Sequence, residues 1–168
     1  DELGFKGSSC TKECSVGKYS DVPGIQKEND CKLCIAGKWS IQKGLISQCE
    51  DCVSGSITNT GTNAGATSCT PCVAGLYSLS SNVASCSTCA AGSITNTRTD
   101  AGATSCIVCA AGLYSLSSNV ASCSKCVAGK MLDEEKASTT DHDAASDCID
   151  CVKGQFSSVE GAPSCVTC

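Results

Sequence analysis

CVAGLYSLSSNVASCSTC, residues 72–89, decides the fold. After Cys72, glycine follows three residues on at Gly75. A large apolar side chain follows five residues on at Tyr77, with Ser78 next. Cys86 and Cys89 then close the stretch as a C-x2-C doublet. The pattern is written eight times along the chain. Its glycines are Gly17, Gly37, Gly55, Gly75, Gly92, Gly112, Gly129 and Gly154. Its apolar positions, here called Φ, are Tyr19, Trp39, Ile57, Tyr77, Ile94, Tyr114, Met131 and Phe156. Ser or Thr follows Φ in seven of the eight units, Leu132 being the exception. The unit is therefore C-x2-G-x-Φ-[ST]-x(n)-C-x2-C.

The chain holds 18 cysteines in 168 residues. They fall as Cys31/Cys34, Cys49/Cys52, Cys69/Cys72, Cys86/Cys89, Cys106/Cys109, Cys123/Cys126, Cys148/Cys151 and Cys165/Cys168, preceded by Cys10/Cys14 with one residue more between. The spans between doublets alternate long and short: 17, 15, 17, 14, 17, 14, 22 and 14 residues. Self-similarity at a fixed period marks a repeat architecture. Residues 53–89 and 90–126 align without gaps and agree at 29 of 37 positions. The building block is thus a dyad of one long and one short unit. The expected division is the end of a preceding repeat at 1–13, then dyads at 14–51, 52–88, 89–125 and 126–168, the last running into the start of a following repeat.

Composition explains why such a chain needs cross-links. Leu, Ile, Val and Phe number 29 of 168, or 17 %, below the ~20 % under which a core is hard to build. Ordering the backbone costs about 1–2 kcal/mol per residue, and this apolar content cannot offset it in one globule. A disulfide closing ~15 residues contributes about 3 kcal/mol by constraining the unfolded chain. Dense disulfides imply an oxidising compartment, and the expected location is extracellular, at a cell surface. Ser and Thr number 40, which adds O-linked glycans as expected partners, whereas no Asn-x-Ser/Thr sequon occurs. The net charge of −5 with scattered basic residues argues against nucleic acid. No apolar run approaches the ~20 residues of a membrane helix, so no membrane insertion is expected. No signal peptide opens the chain, and Asp1 reads as a processed or truncated start.

The local signals predict small β-hairpins and loops with almost no helix. Glycine soon after a cysteine permits the positive φ of a tight turn. "YS", "WS", "SIT" and "FS" favour short strands, and "SSNVAS" and "TNAGAT" read as turns. Φ is expected to lie over a disulfide as a core of one residue per unit. The one helical candidate is MLDEEKAS, 131–138, whose place in the longest loop favours an exposed turn. Spacing alone leaves connectivity open. The unit boundaries suggest a ladder, Cys14–Cys31, Cys34–Cys49, Cys52–Cys69, Cys72–Cys86, Cys89–Cys106, Cys109–Cys123, Cys126–Cys148 and Cys151–Cys165, with Cys10 and Cys168 belonging to units beyond. An interlaced pairing, such as Cys49–Cys69 with Cys52–Cys72, is the rival.

The stretches CVAGLYSLSSNVASCSTC and CIAGKWSIQKGLISQCEDC (34–52) resemble the cysteine-rich ephrin-receptor-like repeats, within the wider set of EGF-like and TNF-receptor-like modules. The resemblance runs from Cys10 to Cys168 and rests on C-x2-G-x-[YFW]-S closing on C-x2-C. The abundance of Ala, Ser, Thr and Gly also resembles CxxC-repeat surface proteins of unicellular eukaryotes, such as ciliate surface antigens and algal flagellar-hair proteins. It implies a secreted, disulfide-bonded, elongated protein of adhesion, receptor, coat or fibre type. The usual proline after the second cysteine is absent; Ser15, Ile35 and Val53 stand at such positions. No ligand-binding residues carry over, because none belong to the repeat motif.

Other chemistry is weighed against that frame. Paired doublets have zinc-ribbon spacing, but nine doublets are an odd number and would strand one pair. Asp133, Glu134, Glu135, Asp141, Asp143, Asp147 and Asp150 are oxygen ligands of the type calcium takes, yet their spacing is not that of an EF-hand. His142, the single histidine, stands between two aspartates and reads as a surface residue. No catalytic residue, cofactor or metal is expected. The expected function is structural: a disulfide-stapled rod in an extracellular coat, stalk or filament, partnered by copies of itself or by other extracellular proteins. The alternative is a receptor or adhesion ectodomain that binds a protein ligand.

Overall fold

A computed structural model describes residues 13–23, 25, 27–117, 120–133 and 138–168. Eight two-stranded antiparallel hairpins follow one another, and no α-helix occurs among the described residues. In each hairpin the first strand carries Φ, and the second carries the two residues inside the next C-x2-C doublet. Lys18–Tyr19 pairs with Lys32–Leu33, Lys38–Trp39 with Glu50–Asp51, Ser56–Thr58 with Cys69–Pro71, and Leu76–Tyr77 with Ser87–Thr88. Then Ser93–Thr95 pairs with Cys106–Val108, Leu113–Tyr114 with Ser124–Lys125, Lys130–Met131 with Ile149–Asp150, and Gln155–Phe156 with Val166–Thr167.

Each first strand is entered through a β-turn. In the fourth unit the Leu76 N–H donates to the Val73 carbonyl at 3.0 Å, and Gly75, third in that turn, has φ +85°. A type II turn requires positive φ at its third residue, which is why glycine keeps a fixed offset from cysteine. The turn brings the strand back beside the doublet.

Strands this short do not hold together alone in water. Bridges hold them. They run Cys14–Cys31, Cys34–Cys49, Cys52–Cys69 and Cys72–Cys86, then Cys89–Cys106, Cys109–Cys123, Cys126–Cys148 and Cys151–Cys165. Each ties the cysteine before a turn to the cysteine that precedes or opens the second strand, with Cα atoms 5.7–5.9 Å apart. Among the described residues no bridge joins one unit to another, and the result is a tandem-repeat rod. Units one to eight follow the order of these bridges.

The core differs from one Φ residue per unit. Cys34, Cys52, Cys72, Cys89 and Cys126 are almost fully buried, as are Ala66, Ala103 and Leu132. Ser20, Ser40, Ser78 and Ser115, which follow Φ, are buried too. The Φ side chains themselves are mostly half-buried; Ile94 is buried, and Phe156 is 45 % exposed. A hairpin two residues wide offers too little surface to cover a ring, so cystine sulfur and small side chains fill the axis instead. The helical candidate at 131–138 does not begin as a helix: Met131 is in a strand and Leu132 is fully buried. Its residues 134–137 lie outside the described residues. Among the described residues three single 3-10 turns occur, at Glu28–Asp30, Thr139–Asp141 and Ala145–Asp147.

Candidate functional site: the seams between units

Backbone hydrogen bonds join each unit to the next. Between units three and four, the Gly55 N–H donates to the Ser78 carbonyl at 2.9 Å. There the Cys72 N–H donates to the Gly55 carbonyl at 2.8 Å, and the Asn82 N–H donates to the Cys52 carbonyl at 3.0 Å. One seam on, the Ser78 N–H donates to the Ala103 carbonyl at 3.0 Å and the Gly102 N–H to the Cys72 carbonyl at 2.7 Å. Equivalent bonds recur as Gly17 to Ser40, Gly92 to Ser115, Gly112 to Leu132 and Gly129 to Ser157. The motif positions therefore carry the contact between modules as well as the fold of each one.

Glycine does more than turn the chain. The loop two units further on rests against it. A Cβ added to Gly55 would overlap the Gly102 carbonyl, one added to Gly17 the Gly65 carbonyl, and one added to Gly92 the Thr139 carbonyl. Around Gly129 and Gly154 an added Cβ meets nothing within 4 Å. A second set of glycines, absent from the sequence motif, sits in the loops. Gly44, Gly65, Gly102 and Gly161, with Asn82, donate to the cysteine carbonyl of the unit before, at 2.7–3.0 Å, and all have φ between +61° and +89°. Their signal is legible: each lies four or five residues before the closing cysteine. Asn82 can stand among them because a short polar side chain tolerates the left-handed region.

The Ser or Thr after Φ anchors the loop. Ser20, Ser78 and Ser157 donate through Oγ to the carbonyl two residues on, at 2.8–2.9 Å. Thr58 and Thr95 reach three residues on, to Gly61 at 2.7 Å and Arg98 at 3.0 Å. Unit seven departs from this. Leu132 replaces the hydroxyl and packs with Cys126, Cys148 and Tyr114. His142 is not on the surface; it is 1 % exposed, and its Nδ1 lies 2.7 Å from the Leu113 carbonyl oxygen. Its own carbonyl accepts from the Ser115 N–H at 2.8 Å. That bond sets His142 where Ala66 and Ala103 stand in other seams, so its chain position and not its charged neighbours decides its burial.

Charge plays on the outside. The Lys18 ammonium, 2.8 Å from Glu28, holds that carboxyl below the ordinary carboxylate range, helped by the Ser15 N–H. A hydrogen bond to Asp21 holds Lys32 above its ordinary value. Lys38 pairs with Asp51, and Lys130 with Asp150 at 2.9 Å. These are exposed pairs of the kind that contribute little to stability. The acidic segment is dispersed: Asp147 caps Ala144 N–H at 2.8 Å, and Asp150 faces Lys130. Among the described residues no three His, Cys, Asp or Glu side chains converge as metal ligands; Glu134 and Glu135 lie outside that set. Cys168 is a free, exposed thiol, and Cys10 lies outside the described residues.

No helix among the described residues is long and apolar enough to cross a membrane. Eight bridges suit an oxidising environment. No protein-family model matches the chain, and no curated protein is detectably similar to it. On its own geometry, the chain is a series of small disulfide-bonded β-hairpin modules, about twenty residues each, in tandem.

Proposed function

We propose that this chain is a structural segment of an extracellular assembly, a coat, stalk or filament at a cell surface, in which a stapled rod sets distance and resists unfolding. One observation carries the reading: backbone bonds recur at every seam, the turn glycine donating across five of them, from Gly17 to Ser40 through to Gly129 to Ser157, and Gly65 and Gly102 donating to Cys34 and Cys72 across the other two. A seam made of backbone groups at fixed motif positions lets units be added without new side-chain chemistry, so length becomes the adjustable property. Quasi-one-dimensional stacking of this kind characterises solenoid arrays. The ephrin-receptor-like resemblance supports a secreted role. The role is mechanical rather than enzymatic, and partners are other copies or other extracellular proteins, with O-linked glycans on the Ser/Thr-rich loops.

Electron microscopy of native material tests this. Filaments or a regular coat labelled by antibody against the chain are the expected result. Dispersed labelled receptors, bound to a soluble ligand, would overturn it. Peptide mapping without reduction should recover the eight unit-closing bridges; free thiols protected until a chelator is added would move the chain to a reducing compartment.

A further inference from the structure

One apolar groove is repeated along the rod at the period of the dyad. In dyad two it has a volume of about 330 Å³ and is walled by Ile57, Val73, Leu76 and Ala84. In dyad three it has about 320 Å³ and is walled by Ile94, Ala110, Leu113 and Ala121. All eleven lining positions of the first recur in the second, each 37 residues on. Four of the eight differences between the duplicated segments fall in this wall. Val73 shrinks to Ala110 while Thr70 grows to Ile107, and the volume is held. Dyad one has a smaller groove of about 150 Å³ at the equivalent place, with Tyr19, Ile35 and Lys38 at the positions of Ile57, Val73 and Leu76, and Gln48 at that of Ser85.

A row of aliphatic knobs has the same period. Two residues after Φ, the short units of the first three dyads carry Ile41, Leu79 and Leu116, exposed at 71 %, 71 % and 62 %, and that of the fourth carries Ser158. The long units carry Asp21, Asn59, Asn96 and Asp133 at that place. Apolar knobs thus appear on every second unit through the first three dyads, as the grooves do, with polar residues between.

We infer that these grooves receive the Ile41, Leu79 and Leu116 side chains of a second copy of this chain, so that rods associate side by side in dyad register. Area decides between occupants. One aliphatic knob removes on the order of 100 Å² from water, and the groove wall loses a similar area. A stable interface removes about 1,200–2,000 Å². A partner using one groove falls about sixfold short of the lower bound. Three knobs inserted each way reach roughly that bound, and a second copy brings the matching spacing by construction. Arg98, at the place of Gly61, charges the wall of the dyad-three groove as Lys38 charges that of dyad one, so the grooves differ in charge and mark register.

This inference rests on the structural-rod reading and names the contact by which rods would bundle. Sedimentation velocity of the full chain, with free thiols alkylated, tests it. The wild type should self-associate with rising concentration. A triple knob variant, Ile41→Ser, Leu79→Ser and Leu116→Ser, should weaken association at least tenfold, about 1.4 kcal/mol. A triple groove variant, Ile35→Asp, Val73→Asp and Ala110→Asp, should do the same. All six positions are exposed, so the eight bridges should still map correctly. Mixing the two variants should recover part of the association, because one set of knobs then meets one set of grooves. Association unchanged by both variants would overturn the inference, as would a wild type that stays monomeric to its solubility limit. A monomeric chain whose grooves take up a fluorescent fatty acid would overturn it in favour of a lipid occupant. Filaments in native material alongside a monomeric wild type would overturn this contact and leave the rod reading standing.

Discussion

Gly55 and Gly129 separate two reasons for glycine that usually act together. Their φ values are +80° and +85°, so alanine at either incurs the same left-handed penalty, about 1–2 kcal/mol. Only Gly55 lies under a carbonyl, that of Gly102. Gly55→Ala should therefore lose a further ~1–3 kcal/mol from overpacking, while Gly129→Ala loses the backbone part alone. Exchange protection of the Gly102 amide, which donates to Cys72, reads the difference; equal losses in the two variants would disprove the two-unit contact. His142→Ala is a second residue-scale case. Removing a buried ring and leaving the Leu113 carbonyl without that neighbour should cost about 2–4 kcal/mol locally. Thermal unfolding of unit seven, followed by exchange of the Ser115 amide, checks it. The turn glycines were legible because their offset from cysteine never varies. His142 was not, because Asp141 and Asp143 signal solvent while the seam that buries it comes from an alignment with Ala66 and Ala103.

At the scale of the element, each hairpin is legible and its neighbour is not. The doublet announces a strand edge and the [ST] position announces the loop. Nothing local states that the loop glycines will reach back one unit, or that turn glycines will be covered from two units ahead. "AGAT" in both duplicated segments reads as a turn, and its Gly65 and Gly102 are seam donors as well. A unit stabilised in part by its neighbours should fail with them. Removing the fourth bridge by Cys72→Ala with Cys86→Ala should forfeit about 3 kcal/mol of loop constraint. Protection should fall at Asn82 and at the amides of Gly55 and Gly102, which face unit four from either side. The seams of Gly17 and Gly129 should keep theirs. Uniform loss along the rod would instead mark a single cooperative body.

For the whole molecule, the shortage of large apolar residues was the legible fact, and it carries the architecture: a chain that cannot build one globule builds many small ones. What composition does not contain is where the remaining apolar surface goes. Among the described residues eighteen large hydrophobic ones stay exposed, and their order on the rod emerges only when grooves and knobs are placed on the same dyad. Reducing the bridges should unfold the chain entirely, since 17 % Leu, Ile, Val and Phe is below the ~20 % a core needs. Circular dichroism and hydrodynamic radius before and after reduction measure this; a compact reduced state would contradict it.

Because every bridge closes inside its own unit, tension applied at the ends never reaches the loops. The covalent load path from Cys14 to Cys165 crosses eight cystines of 5.7–5.9 Å and seven connectors of three peptide steps. Its full stretch is roughly 120 Å, against roughly 500 Å for the same residues uncrosslinked. Pulled in an optical trap, the oxidised chain should behave as a nearly inextensible cable, and reductant should release about 400 Å of slack, in steps as single cystines open.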